Sequence, residues 1–288
     1  MSKPAAVVMA HADPPHLQRL LAALDPWTVA LHIDVRTAYD VHAGMTAGLP
    51  NRVRLLSRLR TGWARWENVE AELNGYRAVL ADPDVTHVVV MTGSDYPLAS
   101  TADISAFLGA HPRTSFANNW FLPATDWGGR SGGIARLRYP HWAVRKHMLR
   151  LPVPRPLPRG VTFAAGSQMK VLARHHAEAV LAYRDSRPSV VRFWRRSWCA
   201  DESFVPSVLA TAVPGWADEH LSDVLWFIDW DHSVGAPKSP AWLTTADLPR
   251  LRARRFPEQG TPRLFARKFS SDVDPAVLDL VDAELRAP

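Results

Sequence analysis

The stretch His87-Val88-Val89-Val90-Met91-Thr92-Gly93-Ser94-Asp95-Tyr96-Pro97-Leu98 starts as an unbroken apolar run and ends in a turn with a single carboxylate. A run without polar alternation is the pattern of a strand buried on both faces, as in a parallel sheet covered by helices. Ala5 to Ala10 repeats it, and Pro15 to Leu24 follows with Leu17, Leu20, Leu21 and Leu24 at helical spacing. Thr28 to Asp34 reads as a second strand and Val53 to Leu56 as a third, while Trp66 to Ala81 places Val69, Leu73, Tyr76 and Leu80 on one helical face. Strands alternating with helices predict an α/β fold. Its central sheet is doubly wound, mostly parallel and flanked by helices, and its ligand lies beyond the strands' carboxyl ends.

The composition bounds the rest. The chain has 288 residues, 47% of them apolar, enough to bury a substantial core. One cysteine, Cys199, excludes an internal disulfide and argues against a cysteine-based zinc site, so a reducing cytoplasm is the expected setting. The apolar stretch near the N-terminus is too short for a signal-peptide core or a membrane span. A formal charge of +6 favours an anionic partner, but the basic residues are dispersed and form no concentrated run of the kind that binds nucleic acid.

Beyond the first half, periodicity fails between Trp120 and Gly160, where Gly128-Gly129, Gly132-Gly133 and a proline-rich run suggest a long functional loop. Order resumes with a strand at Gly166 to Leu172, a helix from Arg174 to Tyr183, and a helix from Asp201 to Ala212 with Asp201 as its N-cap. Leu225 to Trp230 reads as a strand, and Asp274-Pro275 opens a helix through Arg286. With no internal repeat and no low-complexity segment, one composite domain spanning 1–288 is expected.

Enzymes that transfer a sugar from a nucleotide commonly place an Asp-X-Asp pair at a strand end to hold the metal that bridges the diphosphate. Here Asp95 stands alone. Of the three Asp-X-Asp patterns elsewhere, Asp82/Asp84 precedes a strand, Asp272/Asp274 sits at a helix start, and Asp229/Asp231, which follows a strand, is the serious candidate. Cations can replace a metal. Arg267 and Lys268 lie in the apolar frame Leu264-Phe265-Ala266-Arg267-Lys268-Phe269, and Lys238 stands between Pro237 and Ser239-Pro240. A cation about 4 Å from a phosphate oxygen gains roughly 4 kcal/mol at an effective dielectric of 20.

Asp201-Glu202 is a carboxylate pair at a helix start, flanked by Trp198 and Phe204. Capping accounts for Asp201 and leaves Glu202 without a structural duty; beside aromatic groups its pKa would rise, as suits a general base. His11 and His32 end successive strands, while the other ten histidines read as surface or satisfied core residues. Among the twelve tryptophans, several near loops and strand ends, Trp63 and Trp230 included, could stack on a sugar or a uracil.

Taken together, Val8-Met9-Ala10-His11, Leu31-His32-Ile33-Asp34, Thr92-Gly93-Ser94-Asp95-Tyr96-Pro97-Leu98, Gly166-Ser167-Gln168, Asp201-Glu202-Ser203-Phe204, Ile228-Asp229-Trp230, Lys238-Ser239-Pro240 and the Leu264 to Phe269 block resemble one family. It is the core-2/I-branching β-1,6-N-acetylglucosaminyltransferase family, which includes the peptide O-xylosyltransferases. The resemblance implies a GT-A fold and an inverting, metal-independent transfer from a UDP-sugar, with no cofactor, to a carbohydrate or other hydroxyl acceptor. It assigns Glu202 as general base, Lys238 and Lys268 with Arg267 to the diphosphate, and His11, Asp34 and Trp63 to the nucleotide. Trp230 and Gln168 fall to the acceptor, and Asp95 is expected to orient donor sugar or acceptor from the floor of the site. The membrane anchor and disulfide cysteines of animal relatives are missing, which points to a soluble bacterial member. The alternative is a catalytically silent protein of the same fold that binds sugar nucleotides or glycans.

Overall fold

The computed structural model describes residues 2–144, 147–230 and 239–287. Its main sheet has seven strands: β1 (Pro4–Ala10), β2 (Thr28–Ile33), β3 (Val53–Leu55), β4 (His87–Thr92), β6 (Ser115–Phe116), β7 (Lys170–Ala173) and β8 (His220–Leu221). They lie in the order β8-β6-β7-β4-β1-β2-β3. β4, β1, β2 and β3 run parallel, β7 is antiparallel to both neighbours, and β8 is parallel to β6. The predicted mixed α/β architecture is thus present, with one reversed strand. A smaller sheet joins β5 (Asp95–Pro97), β10 (Phe265–Arg267) and β9 (Trp226–Ile228), with β10 in the middle, antiparallel to β5 and parallel to β9.

Both faces of the central strands are buried, which is why their sequences do not alternate in polarity. On one face Ala6, Val8, Leu31, Val89 and Met91 join Leu17 and Leu20 of the helix Pro14–Ala23 and the C-terminal Val277, Leu278 and Val281. On the other, Val7, Ala30, Val88, Val90 and Leu172 meet the helices Trp66–Leu80, Arg174–Ser186 and Ala200–Ala212. The first of these helices approaches the sheet closely at Gly75, where an added Cβ would lie 2.3 Å from Val7 Cγ1. No helix among the described residues is long and apolar enough to cross a membrane.

Several expectations need correction. The region Trp120 to Gly160 is not one loop: it holds the short helices Thr125–Gly128 and Ile134–Arg138, the strand Trp120–Phe121 paired with Ala164–Ala165, and the antiparallel pair His141–Val144 and His147–Arg150. Each piece is too short to show a period, and Gly133, at φ 81°, starts the second helix from a backbone shape that a side chain disfavours. The proline-rich run is tied down by Arg155, whose guanidinium donates to Leu137 O, Phe193 O and Ser197 Oγ. The strand predicted from Gly166 begins at Lys170, so Gly166-Ser167-Gln168 is a connecting segment, and the predicted strand to Trp230 stops at Ile228. Asp201 is not a cap. It is the second residue of its helix, and Cys199, at φ 56°, precedes the first. The helix after Asp274 starts as expected, with Asp274 Oδ1 accepting from Ala276 N and Val277 N, but it is α-helical only over Ala276–Val281 and continues to Arg286 as a π-helical turn, Asp282–Arg286.

Candidate active site

Past the carboxyl ends of β1, β2 and β4 opens a cavity of about 620 Å³. Its floor is the turn Thr92-Gly93-Ser94, where β4 crosses close to the end of β1: a Cβ on Gly93 would sit 2.8 Å from that of Ala10. One wall is built from the end of β2. Asp34, buried, accepts from Arg36 N at 2.7 Å, from the Arg36 guanidinium at 3.0 Å and from Thr61 Oγ1 at 2.5 Å. Although burial opposes it, these donors hold its carboxyl far below the usual range. Asp34 thereby fixes the segment Thr61-Gly62-Trp63, whose indole is 69% exposed at the cavity rim.

The opposite wall comes from the C-terminal block. Arg267 and Lys268 both line the cavity, with Lys268 Nζ 4.0 Å above the Trp242 ring and 2.9 Å from Ser239 Oγ. Burial, and then the neighbouring Arg267, lower the Lys268 pKa, so an anion arriving between them would relieve a real electrostatic cost. Asp13 fastens this wall to the end of β1: it caps the helix Pro14–Ala23 through His16 N and accepts from Ser271 N at 2.8 Å and Ser270 Oγ at 2.9 Å.

Asp95 departs from its expected role. Its carboxylate is fully buried beneath the cavity, accepting from Thr92 N at 3.0 Å, Thr92 Oγ1 at 2.7 Å and Trp226 Nε1 at 3.2 Å, with Arg267 Nε at 3.4 Å. It holds the turn and Arg267 in place and does not reach the cavity. The antiparallel register sets Asp95 directly opposite Arg267, so the charge contact is built into the small sheet.

Glu202 does not line the cavity. Its Oε2 accepts from Trp127 Nε1 at 2.9 Å, and Arg136 stacks over Trp127 at 4.1 Å and over Trp198 at 5.0 Å. Burial raises its pKa, opposed by the Trp127 hydrogen bond and by the charges of Arg136 and Lys170. Two links tie it to the cavity. Its carbonyl accepts from Gly166 N at 2.7 Å, two residues before the cavity-lining Gln168; Asp201, its neighbour, accepts at 2.8 Å from Asn68, which lines the cavity and clasps Gly62 beside Trp63. Asp201 is buried, its Oδ1 has no hydrogen-bond partner, and desolvation together with the Glu202 charge pushes its pKa up to about 7.

The cavity therefore gathers His11, Asp34, Trp63, Gln168, Arg267 and Lys268 from the predicted set. Glu202 stands beside it, Asp95 beneath it, and Trp230, 53% exposed after β9, does not line it. Lys238 and Asp231 lie outside the described residues. Asp229 is paired with Arg250 at 2.8 Å and Asp82 with Lys3 at 2.8 Å, so each of these acids has a structural partner. Arg36, Thr61, Asn68 and Trp242 are outside the predicted set, while Trp127, one of the tryptophans expected near loops, contacts Glu202 and does not line the cavity. Only Arg36, two residues after Asp34, carried a local signal; the others are brought in by tertiary structure.

The family description Core-2/I-Branching enzyme matches residues 7–252, stopping before Arg267 and Lys268. Xylosyltransferase 2 of Homo sapiens is 27% identical over 93% of the chain and that of Rattus norvegicus 26% over the same share; xylosyltransferase 1 of Mus musculus is 23% identical over 88%. The chain spans about a third of the length of these relatives, 32% for the first two. Among solved structures, 4-diphosphocytidyl-2C-methyl-D-erythritol synthase of Anaerococcus prevotii aligns over 65% of this chain and 77% of its own, at 10% identity and a TM-score of 0.33. HddC of Yersinia pseudotuberculosis, in complex with GMP-PN, aligns over 60% and 79% at 12% identity and a TM-score of 0.31.

Proposed function

The chain belongs to the Core-2/I-branching enzyme family, a family of glycosyltransferases, and from that premise we propose that it moves a sugar from a UDP-sugar to an acceptor hydroxyl with inversion, Glu202 serving as general base. The observation that carries the reading is a half-buried carboxylate of raised pKa tied through Gly166 and through Asp201 and Asn68 to a cavity lined by two cations. Arg267 and Lys268 stand on the wall that would face the diphosphate, the Asp34-Arg36-Thr61 cluster and His11 on the wall that would face the nucleoside. Glu202 would take the acceptor proton as its oxygen attacks the anomeric carbon from the side opposite the diphosphate. Lys268 and Arg267 would stabilise the leaving group in place of a metal, with Lys238 as a further cation proposed from sequence. Asp95 contributes through Arg267. N-acetylglucosamine and xylose are the proposed donor sugars, the second in keeping with the names of the relatives.

Glu202→Gln keeps the shape and the Trp127 contact but cannot accept the proton. Transfer should fall by about 10²-fold or more, the general range for losing a positioned base, while UDP affinity measured by calorimetry stays within about twofold. Transfer at close to the wild-type rate would remove Glu202 from the mechanism, and loss of UDP binding would make it a structural residue.

A further inference from the structure

Apart from the cavity, one cluster among the described residues has a ligand set of its own. His175 and His176, at the start of the helix Arg174–Ser186, converge with Glu219 at the end of the short helix Trp216–Glu219. His175 Nε2 is 2.9 Å from Glu219 Oε2 and His176 Nε2 is 3.3 Å from the same oxygen; one donor atom from each residue falls within a 4.8 Å group. Zinc held by histidine nitrogens and a carboxylate oxygen at about 2.0–2.2 Å sets neighbouring donors roughly 3.4 Å apart, so the site needs little adjustment to close on an ion.

The atom that points to a ligand is His176 Nε2. The side chain is fully buried, and this nitrogen, 3.3 Å from Glu219 Oε2 in the cluster, has no hydrogen bond among the described residues. Its other nitrogen lies 2.7 Å from Ser115 Oγ, which accepts from Ala173 N at 2.8 Å. That is the outer-shell arrangement that fixes a ligating imidazole. Trp216 stands edge-on to His176 at 5.0 Å and shields it. Arg113 takes the other carboxylate oxygen, Glu219 Oε1, leaving Oε2 to the two histidines.

We propose that His175, His176 and Glu219 form a structural Zn²⁺ site with water as the fourth ligand, clipping the edge strand β8 to the helix that follows β7. The two-histidine, one-carboxylate set with a tetrahedral vacancy suits zinc better than the oxygen-seeking Mg²⁺ or Ca²⁺. The site lies at the opposite end of the sheet from the cavity. Ala173 pairs with His87 at the start of β4, and the cavity opens past Thr92 at its end, about 17 Å away for a six-residue strand. It is therefore separate from the proposed transfer chemistry.

The test is a calorimetric titration of chelator-stripped, dialysed protein with Zn²⁺, paired with Co²⁺ absorption to read the coordination geometry. One equivalent per chain, a tetrahedral Co²⁺ spectrum, and affinity lowered about 100-fold or more in both His176→Ala and His175→Ala are expected. His175 is part-exposed, so His175→Ala keeps the fold even where His176→Ala does not. Arg113→Ala should strengthen binding several-fold, because a cation beside Glu219 opposes a second one; in a plain ion-pair network the same change only loosens Glu219. Absence of saturable binding, or binding unchanged in both histidine variants, overturns the site.

Discussion

Asp201 carries an unusual burden for a residue in the first turn of a helix. An acid whose pKa rises on folding holds its proton more tightly in the native state than in the unfolded one. Its contribution is then least costly below about pH 4, becomes steadily more destabilising up to about pH 7, where it matches the folded-state pKa, and stays at its full penalty above that. Asp201→Asn keeps an oxygen for Asn68 and abolishes this titration. The variant should equal the wild type in urea unfolding near pH 4 and exceed it by about 1–3 kcal/mol near pH 8; identical pH profiles for the two proteins would show that Asp201 is ionised at no cost. Its neighbour contributes to this cost: two ionised carboxylates on one helical turn repel each other, and the Glu202 charge is, after burial, what raises the Asp201 pKa.

Among the elements, the helix Trp66–Leu80 shows how closely position is enforced. Gly75→Ala favours the helix by about 1 kcal/mol in isolation, yet its new methyl meets Val7 in the middle of β1. The clash should dominate, lowering stability by about 1–3 kcal/mol in equilibrium urea unfolding, and a stabilised variant would mean that helix and sheet separate more easily than their contact implies. Such elements were legible beforehand because burial on both faces or on one stripe leaves a repeating mark: β4 has its predicted bounds, and β1, β2 and the helix Trp66–Leu80 lie within one residue of theirs at each end. The helices Tyr39–Thr46, Thr101–Gly109 and Leu248–Arg255 left weaker marks, each burying two apolar side chains or fewer. In the site, the strand-end residues Asp34 and His11 could be found because parallel sheets bind ligands there. Trp127 and Asn68 could not, since they reach Glu202 and Asp201 from 75 and 133 residues away along the chain.

At the scale of the whole molecule, the roles proposed for the cations at one end of the sheet and for the histidine-carboxylate cluster at the other predict two different responses to metal removal. Removing divalent ions with EDTA should leave transfer within about twofold of its starting rate at the assay temperature while lowering the unfolding midpoint by a few degrees, as expected when a ligand that binds only the folded state is withdrawn. A strict Mn²⁺ requirement would refute the role given to Arg267 and Lys268. The net charge of +6 is not itself the donor site. Arg267 faces Asp95, Arg36 faces Asp34 and Arg250 faces Asp229, so much of the positive charge near the strand ends is already spoken for, and the part left to attract a diphosphate is local.

The small sheet also has a consequence for how the protein is made. Its three strands begin at residues 95, 226 and 265, and the middle one is the last to be synthesised. While the chain is still on the ribosome, β1 to β4 can already pair, but the wall that carries Arg267 and Lys268 has no strand to attach to until β10 emerges. A nascent chain halted before residue 265 would have the Asp34 wall of the cavity and not the Arg267-Lys268 wall, so under the proposed reading the ability to hold a donor arrives only once β10 has emerged.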